Sequence, residues 1–173
     1  MTPRSERGFT LIELLIVVAI ISIIAAFAIP GLLRTRMTGN ETSAVVSMKA
    51  VSVAEVAYST NCGNGGFASS LPILYAPPGG VGQGFIDASL GLSATPQKAG
   101  YNFTLGPGAG AGAGNNDCNG TATTTTFYGT AIPVTFGTSG TRSFAVNQEN
   151  TVWQITGPAA PTEPFGAPAA PVQ

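Results

Sequence analysis

Residues 8–30 read GFTLIELLIVVAIISIIAAFAIP. From Leu14 to Ile29, sixteen consecutive residues carry nothing more polar than Ser22, yet Glu13 stands at the head of the run. The apolar stretch from Phe9 to Leu33 is 25 residues, and a helix needs about 20 to cross a bilayer. Arg4 and Arg7 precede it, so the positive-inside tendency leaves the N-terminus in the cytoplasm and sends the rest outward. Arg34 and Arg36 on the far side weaken that argument without reversing it.

A basic start, an apolar stretch and Ala26-Phe27-Ala28 also make an acceptable secretory signal peptide, with a soluble protein beginning at Ile29. Two features oppose that alternative. Nothing in export chemistry calls for a carboxylate where Glu13 sits. Helical patterning also continues past the cut, because Ala44, Met48, Val51, Ala54 and Tyr58 recur at three- and four-residue steps, with Lys49 and Glu55 off that stripe. An uninterrupted helix from Phe9 to Asn61 is about 80 Å long at 1.5 Å per residue. Pro30 and Gly31 are expected to bend it, and Gly39-Asn40 to loosen it.

Composition narrows the function. Charged residues are 9% of the 173, well below the roughly 25% usual for soluble domains. Seven Lys+Arg oppose eight Asp+Glu, and no basic patch suggests nucleic acid. There is no histidine, so the commonest general base and metal ligand is missing; serines have no activating partner, and Lys49 and Lys98 lie in no motif. No enzyme, cofactor or metal centre is therefore expected. Asp87 and Asp117 are candidates to join loop carbonyls in a cation site, but capping or a solvated loop is the simpler reading. Cys62 and Cys118 lack metal spacing. Outside the cytoplasm they can pair, closing a loop worth roughly 4 kcal/mol by chain-entropy reasoning; two free buried thiols are the alternative.

The stretch RGFTLIELLIVVAIISIIAAFAIP resembles the N-terminus of type IV pilins and of the pseudopilins of type II secretion. The family pattern is a short basic leader ending in Gly, then Phe, then Glu as the fifth mature residue, then about twenty apolar residues. The resemblance implies a leader from Met1 to Gly8, cleavage between Gly8 and Phe9 by a prepilin peptidase, and N-methylation at Phe9. The new α-amino group of Phe9 lies one helical turn from Glu13. In a staggered bundle, Glu13 of one subunit then meets the Phe9 ammonium of the next. Such a pair need add no net stability, but any other stagger strands a carboxylate in hydrocarbon, so it selects the register. Ser22 stands where many relatives have Gly and where the helix often unwinds on assembly, and Pro30 matches the family's proline, so both are assigned to helix bending.

The resemblance further implies the partners and the location. They are other copies through the N-terminal helices, the peptidase, an inner-membrane assembly platform, and membrane lipid before assembly. The protein begins as a single-pass inner-membrane protein and ends in an extracellular fibre or a periplasmic pseudopilus. The leading function is a structural subunit of a type IV pilus. The alternatives are a pseudopilin of type II secretion and a secreted binding protein with an ordinary signal peptide.

The expected fold is α+β: a long N-terminal helix, with a membrane half at 9–33 and an amphipathic half at 34–61, packed on a small antiparallel sheet in a head at 62–156. Residues 62–100 read as a long connecting loop with a short helical piece at Ile86 to Leu92. Strands are predicted at Tyr101–Leu105, Thr123–Tyr128, Ala131–Phe136, Arg142–Asn147 and Thr151–Thr156. GPGAGAGAGNN at 106–116 lacks a following Lys-Ser/Thr pair and reads as a flexible loop rather than a phosphate cradle. Three Asn-x-Thr triplets, beginning at Asn40, Asn102 and Asn119, are of the kind a Thr-rich chain produces by chance. The Pro/Ala-rich tail at 157–173 is expected to be extended or disordered.

Overall fold

The structure is a computed structural model, and it describes residues 8–172. Most of the leader, 1–7, therefore lies outside the described residues, as does the last residue. The chain divides into two compact units, one ending at Arg36 and one beginning at Met37.

The first helix, α1, runs from Leu11 to Asn61 without interruption at Pro30, Gly31 or Gly39. Straight apolar and β-branched residues supply no break before Pro30. Proline there deletes one ladder bond but does not end the helix. In its second half the face predicted from spacing is buried, with Ala44, Met48, Val51, Ala54 and Tyr58 each at most 3% exposed. Glu55, expected on the polar side, is also fully buried. The loop carrying Ala68 closes over it, so the covered strip of helix is wider than the apolar stripe.

The segment 62–100 is more ordered than the loop expected of it. It holds α2 (Leu71–Tyr75), a 3₁₀ turn (Pro78–Gly80), α3 (Ala88–Gly91) and the strand β1 (Gln97–Lys98). Leu71, Leu74 and Leu90 are its anchors, all completely buried in the common core. The predicted helical piece is α3. Asp87 caps it, its Oδ1 accepting from the Ser89 N–H at 2.7 Å.

The main sheet is antiparallel throughout. Its remaining strands are β2 (Tyr101–Pro107), β5 (Phe127–Pro133), β6 (Arg142–Asn147), β7 (Trp153–Thr156) and β8 (Ala170–Pro171), in the order β1-β2-β5-β6-β7-β8. A two-stranded ribbon, β3 (Ala113–Asn116) with β4 (Ala122–Thr124), stands apart from it. Strand β2 alternates as period two requires, turning Tyr101, Phe103 and Leu105 inward. These rings join Phe127, Phe144 and the buried face of α1 in one hydrophobic cluster.

Two strands predicted at Thr123–Tyr128 and Ala131–Phe136 are instead a short ribbon strand and one long central strand through Gly129. Gly129 sits opposite both Leu105 and Val146. A Cβ there would lie 3.3 Å from Val146 Cγ1 and 3.4 Å from Met48 Cε, so glycine marks where α1 closes on the sheet.

Strand β6 is buried on both faces from Ser143 to Asn147. At Asn147 this strand meets the tail, expected from sequence to be extended or disordered, with Asn147 Nδ2 donating to Glu163 Oε1. Residues 158–172 fold back and contribute β8, and Val172 packs against the core cluster. The GPGAGAGAGNN stretch is likewise ordered, ending β2 and forming β3.

Candidate functional site

Helix α1 starts one residue after Thr10. Thr10 Oγ1 accepts from the Glu13 N–H at 3.3 Å, while Glu13 Oε2 accepts from the Thr10 N–H at 2.9 Å and from the Thr10 hydroxyl at 2.7 Å. This reciprocal pattern is a capping box, which satisfies two amides that the first turn of a helix otherwise leaves open. A carboxylate in that turn also complements the positive end of the helix. The sequence carries the signal, since Thr10 stands three residues before Glu13 at capping-box spacing. Both bonds end on Oε2. Among the described residues Oε1 has no partner, so one oxygen remains for another group.

The rest of the segment is apolar on every side. Phe9 is 87% exposed, and every Leu, Ile, Val and Phe from Leu11 to Leu33 is half or more exposed. A helix of this kind, long and apolar enough to cross a membrane, has no face for water. Ser22 hides its hydroxyl by donating to the Val18 carbonyl at 2.7 Å, and Thr35 does the same to Gly31 at 3.0 Å. Ser22 and Pro30 are carried along this helix and not brought to Glu13. Gly8 and Phe9 precede it, exposed and outside regular structure.

The head is fastened to its part of α1 by polar contacts. Glu41 accepts at Oε1 from the Thr141 N–H (2.8 Å) and hydroxyl (2.9 Å), and at Oε2 from Arg142 Nε (2.8 Å) and Nη2 (2.7 Å). Burial opposes ionisation, but these donors prevail and hold the Glu41 carboxyl below its ordinary range. Arg142 also donates to Gln154 Oε1 at 2.6 Å and lies 5.7 Å from the Phe144 ring centre.

One turn before the end of α1, Tyr58 donates to Asp117 Oδ2 at 2.7 Å. Asp117 Oδ1 accepts from the Asn119 and Thr121 amides at 2.9 and 2.6 Å. Next to that tether, Cys62 and Cys118 are joined in a disulfide with Cα atoms 4.8 Å apart. Burial and the neighbouring Asp117 carboxylate push the Tyr58 phenol up.

Asp87 and Asp117, weighed as cation ligands, are thus both in structural use. Asp87 caps α3 and lies 4.0 Å from Lys98 Nζ. Among the described residues no three His, Cys, Asp or Glu side chains are grouped to hold a metal. The Asn40 amide, in one of the Asn-x-Thr triplets, donates to the Ser139 carbonyl at 3.0 Å.

Glu55 is the residue that sequence reasoning missed most completely. Its Oε2 accepts from the Ala68 N–H at 2.9 Å, while Oε1 is buried and among the described residues has no hydrogen-bond partner. Burial raises its pKa to about 8, so the acid is protonated at neutral pH.

The family-model match falls on the N-terminal segment. The prokaryotic N-terminal methylation motif matches residues 3–29. The chain is 62% identical over 39 residues to the type IV wide pilus major component of Thermus thermophilus, covering 22% of this chain and 30% of that protein. It is 46% identical over 56 residues to the type IV major pilin of Myxococcus xanthus, covering 32% of this chain and 25% of that protein. The chain thus spans less than a third of the length of either curated relative. No solved structure matches it significantly. The matched motif takes in the capped start of α1, and over residues 3–29 this chain carries the prokaryotic N-terminal methylation motif.

Proposed function

We propose that this chain is a structural subunit of a type IV pilus, held in the inner membrane by α1 and then polymerised through that helix into an extracellular fibre. The observation that carries this is the first part of α1, Leu11 to Leu33, apolar on all sides, whose one carboxylate, Glu13, is held at its mouth with an oxygen to spare. Such a helix needs lipid or other copies of itself around it, and the spare oxygen needs a cation. A prepilin peptidase cuts between Gly8 and Phe9, and the new Phe9 amine, once methylated, remains cationic. That amine meets Glu13 Oε1 of the adjacent copy and sets the stagger. Ser22 and Pro30 are the points at which the helix yields on assembly through the membrane platform. The disulfide and the Glu41 contacts keep the head intact outside the cell, and no catalysis is involved.

The capping box sharpens the test. Glu13→Gln retains an acceptor for the Thr10 amide and loses the charge, whereas Glu13→Val loses both. If charge sets the stagger, both variants are inserted and cleaved, and both fail to assemble, as sheared fibres in electron microscopy and immunoblots of the membrane pool will report. Normal fibres from Glu13→Gln, with none from Glu13→Val, would reassign the role of Glu13 to the cap alone. Abundant fibres from Glu13→Val would overturn the assembly role altogether.

A further inference from the structure

A Pro/Ala-rich tail has little apolar surface with which to hold itself in place, yet this one is held at defined points. The Tyr128 hydroxyl donates to the Pro161 carbonyl. Glu163 is gripped at both oxygens, Oε2 by the Ala109 N–H at 2.6 Å and Oε1 by Asn147 Nδ2 at 2.8 Å. Phe165 stacks on Trp153 with ring centres 5.4 Å apart and planes at 24°, and lies 6.3 Å from the Tyr128 ring. Further on, Trp153 pairs with Pro171 and Gln154 with Ala170, and the Val172 N–H donates to the Val152 carbonyl at 2.8 Å.

These are the contacts of a peptide in a groove. Aromatic rings flank a proline-rich segment, two donors receive one carboxylate, and a strand edge takes the main chain. The glycine-rich stretch 106–116 supplies one of those donors, which gives it a use other than the phosphate cradle it superficially suggests. The fit of the resident tail is incomplete, because Trp153 Nε1 is buried and among the described residues has no acceptor. The tail leaves the sheet through Gly157 at φ 152°, a conformation that favours glycine and a natural place for the path to change. Every contact above is between the tail and the sheet or its loops. A tail from another molecule makes the same set at no loss, so closed and exchanged forms differ mainly at the hinge.

We infer that the groove formed by Tyr128, Trp153, Asn147 and Ala109 is a docking site for residues 161–172 of a second copy of this chain, with its own tail as the resident occupant. The groove reads a carboxylate followed two residues later by an aromatic ring. The triplet Glu163-Pro164-Phe165 occurs once in the sequence, so another copy is the partner that presents it. Crowding copies together raises the local concentration of tails and favours exchange. The inference stands without the pilus reading, since two molecules in solution suffice.

The test uses two full-length, disulfide-intact chains in detergent, one carrying Gln154→Cys and the other Ala170→Cys, at positions that are register partners. Mixed under mild oxidation by glutathione disulfide, they are expected to give a crosslinked mixed dimer on a non-reducing gel. Adding Phe165→Ala to the Ala170→Cys chain is expected to lower the yield about fivefold, the factor an aromatic pair supplies. An excess of synthetic peptide 158–173 is expected to compete. The control pairs Ala170→Cys with Val81→Cys, at a highly exposed site just after the 3₁₀ turn and outside the groove residues named above. A single chain carrying both Gln154→Cys and Ala170→Cys verifies folding by closing on itself. A mixed-dimer yield no higher than the control, or one indifferent to Phe165→Ala and to the peptide, overturns the inference while leaving the pilus reading untouched.

Discussion

Replacing Glu55 by Gln is expected to change how the stability of the head responds to pH. In the folded chain the Glu55 carboxyl is buried with one oxygen unpartnered, and its pKa rises from 4.5 to about 8. In the unfolded chain it titrates near its ordinary value. Between those values the folded state holds a proton that the unfolded state has released, so stability falls as pH rises through that window and levels off above it. At about 1.4 kcal/mol per pH unit, the full span amounts to about 5 kcal/mol, a large share of the stability of an ordinary domain.

Gln at position 55 keeps an acceptor for the Ala68 N–H and has no proton to lose. Its amide nitrogen lacks an acceptor and costs about 1 kcal/mol, so the variant is slightly less stable than the wild type near pH 5. Near pH 8.5 it is expected to be more stable by about 3–4 kcal/mol, the burial cost of the ionised acid less that penalty. Urea unfolding of the mature chain in detergent, followed through the fluorescence of Trp153, the chain's single tryptophan, measures both across pH 4.5–8.5. Differencing the two profiles removes the other acids. Parallel profiles would refute the reasoning, because they would mean that Glu55 is hydrated or paired in solution.

Arg142→Met is expected to destabilise the head by about 2–3 kcal/mol at neutral pH by stranding Glu41. The Glu41 pKa is depressed, so this contribution is present above the ordinary carboxylate value and lost as pH falls through the folded one. The same urea titration at pH 7 and pH 3.5 is expected to show the difference shrinking in acid. Cys118→Ser opens a bridge spanning 56 positions and is expected to cost about 3–4 kcal/mol; maleimide labelling without reductant will count one thiol in the denatured variant and none in the wild type. Gly8→Val is expected to leave uncleaved precursor in the membrane, because a branched side chain at the last leader position keeps the backbone from the peptidase cleft. Intact-mass measurement reads this directly, and normal maturation would count against the cleavage site.

Periodicity and chemical type sufficed where one short stretch interacts with a uniform surrounding. The apolar run from Leu14 to Ile29 declares its helix and its need for lipid or like helices, and Glu13 stands out as the one charged residue between Arg7 and Arg34. The spacing of Ala44, Met48, Val51 and Tyr58 located the buried face of α1, and the strands β2, β6 and β7 followed from alternation. The tertiary structure alone decided the features that depend on residues far apart in the chain. Glu55 is buried because the loop carrying Ala68 folds over it, and local pattern cannot register a covering that arrives thirteen residues later. Gly129 reads as a break until Met48 and Val146 are seen to need its missing side chain. The tail reads as disordered because its own sequence offers little to bury. Tyr128, Asn147 and Trp153 supply what it lacks, and their positions are set by a sheet whose strands meet only after the chain has folded.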